Sequence, residues 1–143
     1  AIDNNYNTMK FSSDRSEIFI SDQSDIMRVT NFLRQKEGFD IIIDDGSHVW
    51  SDQITFFKTA SPYLSQGGFF IIENIDTSYE KYVESFSKGS QFSTRDYLFQ
   101  LTDIISGDGA ISDFSLFDEF AISYARAIKS IEFVRRGCII RRK

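Results

Sequence analysis

The sequence predicts an α/β fold in which crossover helices connect the strands of a parallel sheet and the chain ends in an antiparallel β-hairpin. Short apolar runs rich in β-branched residues alternate with segments whose apolar residues recur at helical spacing, which is typical of βαβ units. The chain has 143 residues, of which 41% are hydrophobic and 15% aromatic. That length and apolar content predict a single domain over residues 1–143.

Three apolar runs, at residues 17–21, 40–44 and 68–73, are predicted to form strands of this sheet. The run at 40–44 contains three successive isoleucines. A continuous β-branched run of this kind is typical of a strand that is covered on both faces. Polar residues follow each run, so we expect the strands to end there.

Two crossover helices are predicted between these strands, because apolar residues recur every three or four positions in both intervening segments. The first helix is expected to begin after Ser24 or Asp25, which are good N-caps, and to stop by Gly38. The second is expected to be capped by Ser51, to fray near Pro62 and to be closed by Gly67-Gly68. Together these segments give the order β-α-β-α-β.

Beyond the third strand, the sequence predicts a surface loop and two more helices. Residues 76–92 are rich in Ser, Lys, Gly and Tyr, which favours a mobile loop that acts as a lid over a site. Helical periodicity resumes over residues 94–107, where Thr94 is the predicted cap, and again over residues 118–127.

The C-terminus is predicted to be the β-hairpin. Two β-rich runs, at 130–134 and 138–141, flank a short turn in which Gly137 would supply a positive φ. The arginines of this turn and the basic C-terminal residues are interpreted as a solvated hairpin edge. Cys138, the only cysteine, is interpreted as a small apolar core residue.

Composition excludes several classes of function. The formal net charge of −5 argues against partners that are nucleic acids or anionic membranes. A single cysteine rules out an intramolecular disulfide framework and favours a reducing, cytoplasmic location. The sequence shows neither a leader pattern nor an apolar run long enough to span a bilayer.

Polar residues at the strand ends predict where a site lies, because ligands of open parallel sheets bind outside the carboxyl ends of the strands. The first strand is predicted to end in Asp22-Gln23, the second in residues 44–48, and the third in Glu73-Asn74. Taken singly, each group is compatible with a helix cap or a turn. Taken together, acidic ends on neighbouring strands and a nearby histidine favour a functional site.

These residues suit metal-assisted activation of a hydroxyl group. Asp45, Glu73 and Asn74 offer hard oxygen ligands of the kind that magnesium or calcium prefers, whereas zinc would require more nitrogen or sulfur. His48 is placed to accept the proton of a hydroxyl group near neutral pH. The residues alone leave open which electrophile the activated oxygen attacks.

A family resemblance adds to this interpretation. Residues 39–48 (FDIIIDDGSH), 67–74 (GGFFIIEN) and 77–79 resemble the macrocin and mycinamicin type of sugar O-methyltransferases, which are Rossmann-like class I enzymes dependent on S-adenosylmethionine (SAM) and Mg²⁺. Residues 1–3 resemble the end of the family's second strand, and the predicted hairpin resembles its last two strands. The resemblance therefore covers nearly the whole chain and implies the C-terminal part of a methyltransferase domain.

Carried over to this sequence, the resemblance implies that Asp45, Glu73 and Asn74 bind the metal and that His48 is the general base. The family usually has Asp where this chain has Asn74, so we expect weakened or retuned metal binding. The resemblance also implies that Trp50 either flanks the cofactor or packs in the core, with packing favoured. The residues expected to contact SAM are Asp3, Asp22, Gln23 and Asp44.

The implied activity is methyl transfer to a sugar or sugar-like hydroxyl group in natural product or polysaccharide biosynthesis, with a small-molecule or glycan acceptor as the partner. No Gly-x-Gly element precedes Asp3, although the family carries a glycine-rich loop for SAM there. We therefore expect a fragment that is inactive alone and binds SAM weakly, with unpaired strand edges through which a homo-oligomer would form.

Two alternatives remain open at this stage. One is a catalytically inactive methyltransferase-fold module that serves binding or assembly, which the missing glycine-rich element and Asn74 favour. The other is a different α/β enzyme, nucleotide-binding or hydroxylase-like, that shares only the sheet. Fold by itself does not distinguish these functions.

Overall fold

The computed structural model describes residues 1–107 and 110–143, which form two sheets and a set of helices. The smaller sheet is a parallel pair, and the larger has the strand order β3-β4-β6-β5. β3 and β4 are parallel, while β6 is antiparallel to both of its neighbours. The strands are β1 (Ile2–Asp3), β2 (Phe19–Ile20), β3 (Phe39–Asp44), β4 (Leu64–Glu73), β5 (Ile128–Val134) and β6 (Gly137–Arg142). The predicted α/β class and terminal hairpin are confirmed.

The first two α-helices connect strands as the periodicity predicted, and the other three follow one another between β4 and β5. The α-helices are α1 (Ile26–Leu33), α2 (Trp50–Ala60), α3 (Val83–Phe86), α4 (Thr94–Ser106) and α5 (Glu119–Tyr124). Short 3₁₀ segments cover Tyr6–Phe11, Ser61–Tyr63, Ile75–Ser78, Glu80–Tyr82 and Ala125–Ala127. Within residues 1–107 and 110–143, every helix is too short or too polar to cross a membrane.

The hydrophobic core lies between the helices and one face of the larger sheet. Alternate residues of the strands, such as Ile42, Phe70 and Ile140, are buried there together with residues of α1, α2, α4 and α5. On the opposite face, Ile41 and Ile43 of β3 are 57% and 54% exposed. The prediction that β3 is covered on both faces is therefore wrong for the described chain, in which the helices pack against one side only.

Two boundaries differ from the sequence-based expectation. α1 ends at Leu33 and not near Gly38, because the residues after Leu33 form turns. The glycines expected to close the second helix lie inside β4, which begins at Leu64. A Cβ atom on Gly68 would lie 2.8 Å from the carbonyl oxygen of Asp40, so the glycine permits the close approach of β3 and β4.

The segment predicted to be a lid is also more ordered than expected. Residues 76–92 contain most of one 3₁₀ turn, all of another, and the short helix α3. Ser93 caps α4 through a capping box with Asp96, one residue before the predicted cap Thr94. The helix predicted over 118–127 is confirmed as α5, with Asp118 as its N-cap, followed by a 3₁₀ turn.

The terminal hairpin has a turn of two arginines. The positive φ falls on Arg136, at 61°, and Gly137 is the first residue of β6. The glycine is needed for a different reason, because a Cβ atom there would lie 3.2 Å from the carbonyl oxygen of Ile72. Cys138 is fully buried, as predicted, and burial raises the pKa of its thiol to about 12.

Candidate active site

The carboxyl ends of β3 and β4 bring the predicted metal ligands to one edge of the sheet. The strand register pairs Asp44 with Ile72, so the next residues, Asp45 and Glu73, leave two adjacent parallel strands side by side. Both side chains are exposed. Neighbouring strands lie roughly 5 Å apart, a separation that one cation can bridge.

His48 and Asn74 meet at this edge. Nδ2 of Asn74 lies 2.9 Å from Nε2 of His48, and Oδ1 of Asp45 lies 3.8 Å from the same nitrogen. His48 and Asn74 have φ values of 59° and 53°, in the left-handed region that non-glycine residues seldom occupy. Such backbone conformations cluster at functional sites because they aim side chains that regular structure would direct elsewhere. The structure therefore brings Asp45, His48 and Asn74 together.

The oxygen donors at this edge are two carboxylates and one amide. Within the described residues, no group of three or more His, Cys, Asp or Glu side chains is arranged to hold a metal ion. A cation here would therefore depend on the amide oxygen of Asn74 in addition to the carboxylates of Asp45 and Glu73. This donor set is hard and anionic, which suits magnesium and not zinc.

Buried hydrogen bonds hold this edge in place, and sequence reasoning missed most of them. Gln53 is fully buried, and its amide donates to the carbonyl oxygen of Glu73 at 2.9 Å and accepts from the hydroxyl of Thr94 at 2.8 Å. The indole of Trp50 is 7% exposed and donates to the carbonyl oxygen of Thr77 at 3.0 Å. Trp50 thus packs in the core, which was the favoured interpretation. For the contacts of Gln53, the available sequence signal was a glutamine at a position of the predicted amphipathic helix that faces the core.

Arg136 is a second residue that sequence reasoning did not assign to the site. Its Nη2 donates to Oδ1 of Asn74 at 2.8 Å, and its Nε donates to Oδ1 of Asp76 at 3.2 Å. The backbone N–H of Ile75 also donates to the carbonyl oxygen of Arg136 at 3.0 Å. The side chain is 62% exposed, so the interpretation of these arginines as a solvated hairpin edge was partly correct. The hairpin turn nevertheless docks directly on the end of β4.

The residues predicted to contact a cofactor lie on the other side of β3. Gln23 reaches across from the end of β2: its amide oxygen accepts from the N–H of Ser47 at 3.2 Å, and its Nε2 is 3.5 Å from Oδ1 of Asp44. The carboxylate of Asp22 accepts from the hydroxyl and N–H of Ser24, and these bonds lower its pKa. Asp3 ends β1, where its carboxylate accepts from the N–H of Asn5.

Asp44 is a buried carboxylate at the end of β3. Burial raises its pKa to about 6, although the N–H of Gly46 and the amide of Gln23 act in the opposite direction. Its Oδ2 is buried and has no hydrogen-bond partner among the residues that the structure describes. Buried polar atoms are usually satisfied, so this oxygen is a candidate acceptor for a donor group of a ligand.

Curated sugar O-methyltransferases match up to about half of the chain. A 2'-O-methyltransferase of rhamnosyl tetracenomycin C from Streptomyces olivaceus is 37% identical over 65 residues, which are 46% of this chain and 17% of the relative. L-olivosyl-oleandolide 3-O-methyltransferase from Streptomyces antibioticus is 51% identical over 41 residues, 29% of this chain and 11% of the relative. Mycinamicin VI 2''-O-methyltransferase from Micromonospora griseorubida is 38% identical over 58 residues, 41% and 14% of the two chains.

Solved methyltransferase structures superimpose on nearly the whole chain. The MycE methyltransferase in complex with Mg, SAH and mycinamycin VI has a TM-score of 0.78 at 21% identity, covering 99% of this chain and 35% of that one. A second MycE structure, with Mg and SAH, has a TM-score of 0.80 at 22% identity, covering 99% and 36%. No protein-family model matches the chain. The chain thus spans about a third of MycE, has the predicted methyltransferase fold, and resembles sugar O-methyltransferases as its motifs indicated.

Proposed function

We propose that this chain carries the catalytic residues of a SAM- and magnesium-dependent O-methyltransferase that acts on a sugar or sugar-like hydroxyl group. The observation that carries the proposal is the meeting of His48 with Asn74 and Asp45 at the carboxyl edge of the sheet. The imidazole of His48 lies there 3.8 Å from a carboxylate oxygen of Asp45 and 2.9 Å from the amide of Asn74, which suits a general base beside a hard oxygen donor. The likeness of the chain to sugar O-methyltransferases supports the same chemistry.

The residues at this edge fit a magnesium ion. Asp45, Glu73 and Asn74 would hold it through oxygen atoms, as hard divalent cations require. When bound, the ion would supply Lewis-acid catalysis by lowering the pKa of the acceptor hydroxyl group. The relative with an acceptor in its solved structure is described as a complex with Mg and SAH, which supports both cofactors.

His48 is the proposed general base. The amide N–H of Asn74 points at Nε2, so the lone pair of the neutral imidazole lies on that nitrogen and faces the predicted metal ligands. Nε2 would take the proton of the acceptor hydroxyl group once that hydroxyl group replaces the Asn74 amide as its hydrogen-bond partner, while the methyl group is transferred to the oxygen. The bond from the hydroxyl of Thr77 to the carbonyl oxygen of His48, at 3.3 Å, helps to hold the left-handed backbone that aims the ring.

SAM is proposed to bind along the ends of β1, β2 and β3. Asp3 and Asp22 end adjacent parallel strands and would accept hydrogen bonds from the ribose and adenine. Gln23 and Asp44 contact each other beside these strand ends, and Oδ2 of Asp44, which lacks a partner among the described residues, is the acceptor that supports this placement. The acceptor would then approach from the side of Glu73 and Asn74.

The test of the proposed function is His48→Ala in the longest form of the protein that its gene encodes. Formation of SAH from SAM and a panel of rhamnosyl and olivosyl glycosides should fall by about two orders of magnitude or more, because the base is lost. SAM affinity, measured by calorimetry, should stay within about twofold, because His48 does not contact the proposed cofactor residues.

Lys88→Ala is the matched control, because Lys88 is exposed and also has a left-handed backbone, with φ of 45°. Both variants place alanine in that conformation, but only one removes the proposed base. Unchanged turnover in His48→Ala would remove His48 from the mechanism. Magnesium-dependent protection of the protein against thermal unfolding would further separate an enzyme from an inactive binding module.

A further inference from the structure

Arg136 contacts a proposed metal ligand, and its role is not explained by the turn that it occupies. Its guanidinium group carries only donors, so the Asn74 atom that faces it at 2.8 Å must be the carbonyl oxygen. The amide nitrogen of Asn74 is then turned toward Nε2 of His48 at 2.9 Å. The arginine therefore dictates which end of the carboxamide faces the histidine.

We propose that Arg136 is a positioning residue that orients the Asn74 carboxamide toward His48 and shares its oxygen with the bound divalent cation, thereby limiting cation affinity. This inference rests on the proposed function, since it concerns the same site. If Asn74 were reversed, its NH₂ group would face the guanidinium donors of Arg136. That contact would be repulsive whichever tautomer His48 adopts, so the observed orientation is the one that Arg136 permits.

The position of Arg136 is fixed independently of Asn74. Its Nε donates to Asp76 at 3.2 Å, and its carbonyl oxygen accepts from the N–H of Ile75 at 3.0 Å. Its φ of 61° directs the side chain of the hairpin turn back over the end of β4. Three of the four non-glycine residues with positive φ in the described chain, His48, Asn74 and Arg136, are thus linked in one hydrogen-bonded series.

The charge of Arg136 has a direct consequence for a cation. A magnesium or manganese ion must approach Oδ1 of Asn74 to roughly 2.0–2.2 Å, on the same oxygen that the guanidinium contacts. The two positive groups would then lie on the order of 5 Å apart, and because Arg136 is largely exposed to water, which screens the charges, their repulsion should weaken cation binding by about tenfold. When the bond between Arg136 and Asn74 loosens, the bond to Asp76 keeps Arg136 close to the site.

The experiment is a titration of the intact protein with Mn²⁺, in which free Mn²⁺ is followed by electron paramagnetic resonance. Arg136→Gly removes the side chain while glycine accepts the left-handed backbone, so the turn should survive. We expect this variant to bind Mn²⁺ about tenfold more tightly than the unmodified protein. Arg135→Ala removes the neighbouring arginine charge of the same turn and should change affinity by less than about twofold.

A double variant tests whether the effect acts through Asn74. In an Asn74→Gly background, Arg136→Gly should no longer tighten Mn²⁺ binding, because the shared oxygen is gone. A role limited to the turn, or a general charge effect, would leave the change intact in that background and would overturn the inference.

The single-variant titration separates failure of the inference from failure of the proposed function. Equal Mn²⁺ affinity in the unmodified protein and Arg136→Gly would overturn the inference and leave the methyltransferase proposal standing. The absence of Mn²⁺ binding in every variant would overturn both.

Discussion

The amide of Asn74 donates to Nε2 of His48 across 2.9 Å, joining the end of β4 to the loop after β3. Both residues have a left-handed backbone, which costs on the order of 1 kcal/mol or more per residue unless the surrounding structure enforces it. Forming the contact therefore requires two unfavourable backbone conformations that a strand end does not otherwise need. It is also the contact through which a cation ligand and a general base would act together.

Replacing Asn74 with Asp should strengthen binding of divalent cations. The change adds a negative charge at the same position, and hard cations gain more from a carboxylate than from an amide. We expect about a tenfold or greater increase in Mn²⁺ affinity, measured by paramagnetic resonance. Asp76→Glu, which keeps the charge of the residue that pairs with Arg136, serves as the comparison and should leave affinity nearly unchanged. Equal affinity in Asn74→Asp and the unmodified protein would contradict Asn74 as a ligand.

Gln53 is expected to be important for stability because it connects α2 with β4 and α4 from inside the core. Gln53→Leu would leave the carbonyl oxygen of Glu73 and the hydroxyl of Thr94 without partners. Unsatisfied buried groups cost roughly 1–3 kcal/mol each, so the free energy of unfolding in urea should fall by about 2 kcal/mol or more. Gln66→Leu, at an exposed position, should change it by less than about 0.5 kcal/mol. Comparable losses in both variants would exclude the buried bonds as the cause.

Gly68→Ala should destabilise the protein where β3 and β4 come closest. The added Cβ atom would lie 2.8 Å from the carbonyl oxygen of Asp40 and 2.9 Å from that of Ser65, and backbone cannot move aside cheaply. We expect a loss of about 1–3 kcal/mol in the free energy of unfolding, measured in urea. Gly46→Ala is the comparison, since there the Cβ atom meets the end of the Gln23 side chain, which can move at the cost of its bonds to Ser47 and Asp44 but without a shift of backbone. A smaller loss at Gly68 than at Gly46 would show that β4 adapts more readily than its contacts indicate.

Asp118 should make stability depend on pH. Burial raises the pKa of Asp118. The bonds from Lys58, at 2.5 Å, and from the N–H of Ala121, at 2.7 Å, act in the opposite direction and together outweigh burial, so the net shift of the pKa is downward. A carboxylate with a lowered pKa stabilises the folded state above its unfolded pKa, and this contribution disappears as the pH falls through the folded value.

Asp118→Asn keeps the helix cap and removes the charge. It should reduce the free energy of unfolding by about 1 kcal/mol at pH 7, with a difference that shrinks as the pH is lowered from 7 to 3. Urea unfolding at several pH values measures this, with the exposed Asp14→Asn as the control. A difference that is constant over this range would mean that the charge of Asp118 does not contribute.

The sequence allowed the fold to be predicted because its patterns are local. The isoleucine run of β3 and the caps Asp25 and Asp118 act within a few residues of themselves, and the structure has these elements near the expected positions. Where the prediction failed, as at Gly68, the reason is a contact between strands that no local pattern encodes. Likewise, Ile41 and Ile43 are exposed because the helices pack against the opposite face of β3, which the run of isoleucines does not specify.

For the candidate site, two short segments of sequence are enough to identify the chemical groups that follow the strands, namely Asp45, His48, Glu73 and Asn74. How these side chains are oriented depends on the folded chain. Arg136 lies 62 residues from Asn74 along the chain, yet its N–H donors select the direction of that amide. The physical reason is that strand pairing and left-handed backbone turns fix side-chain directions through contacts distant in sequence, whereas residue type fixes only what each side chain can donate or accept.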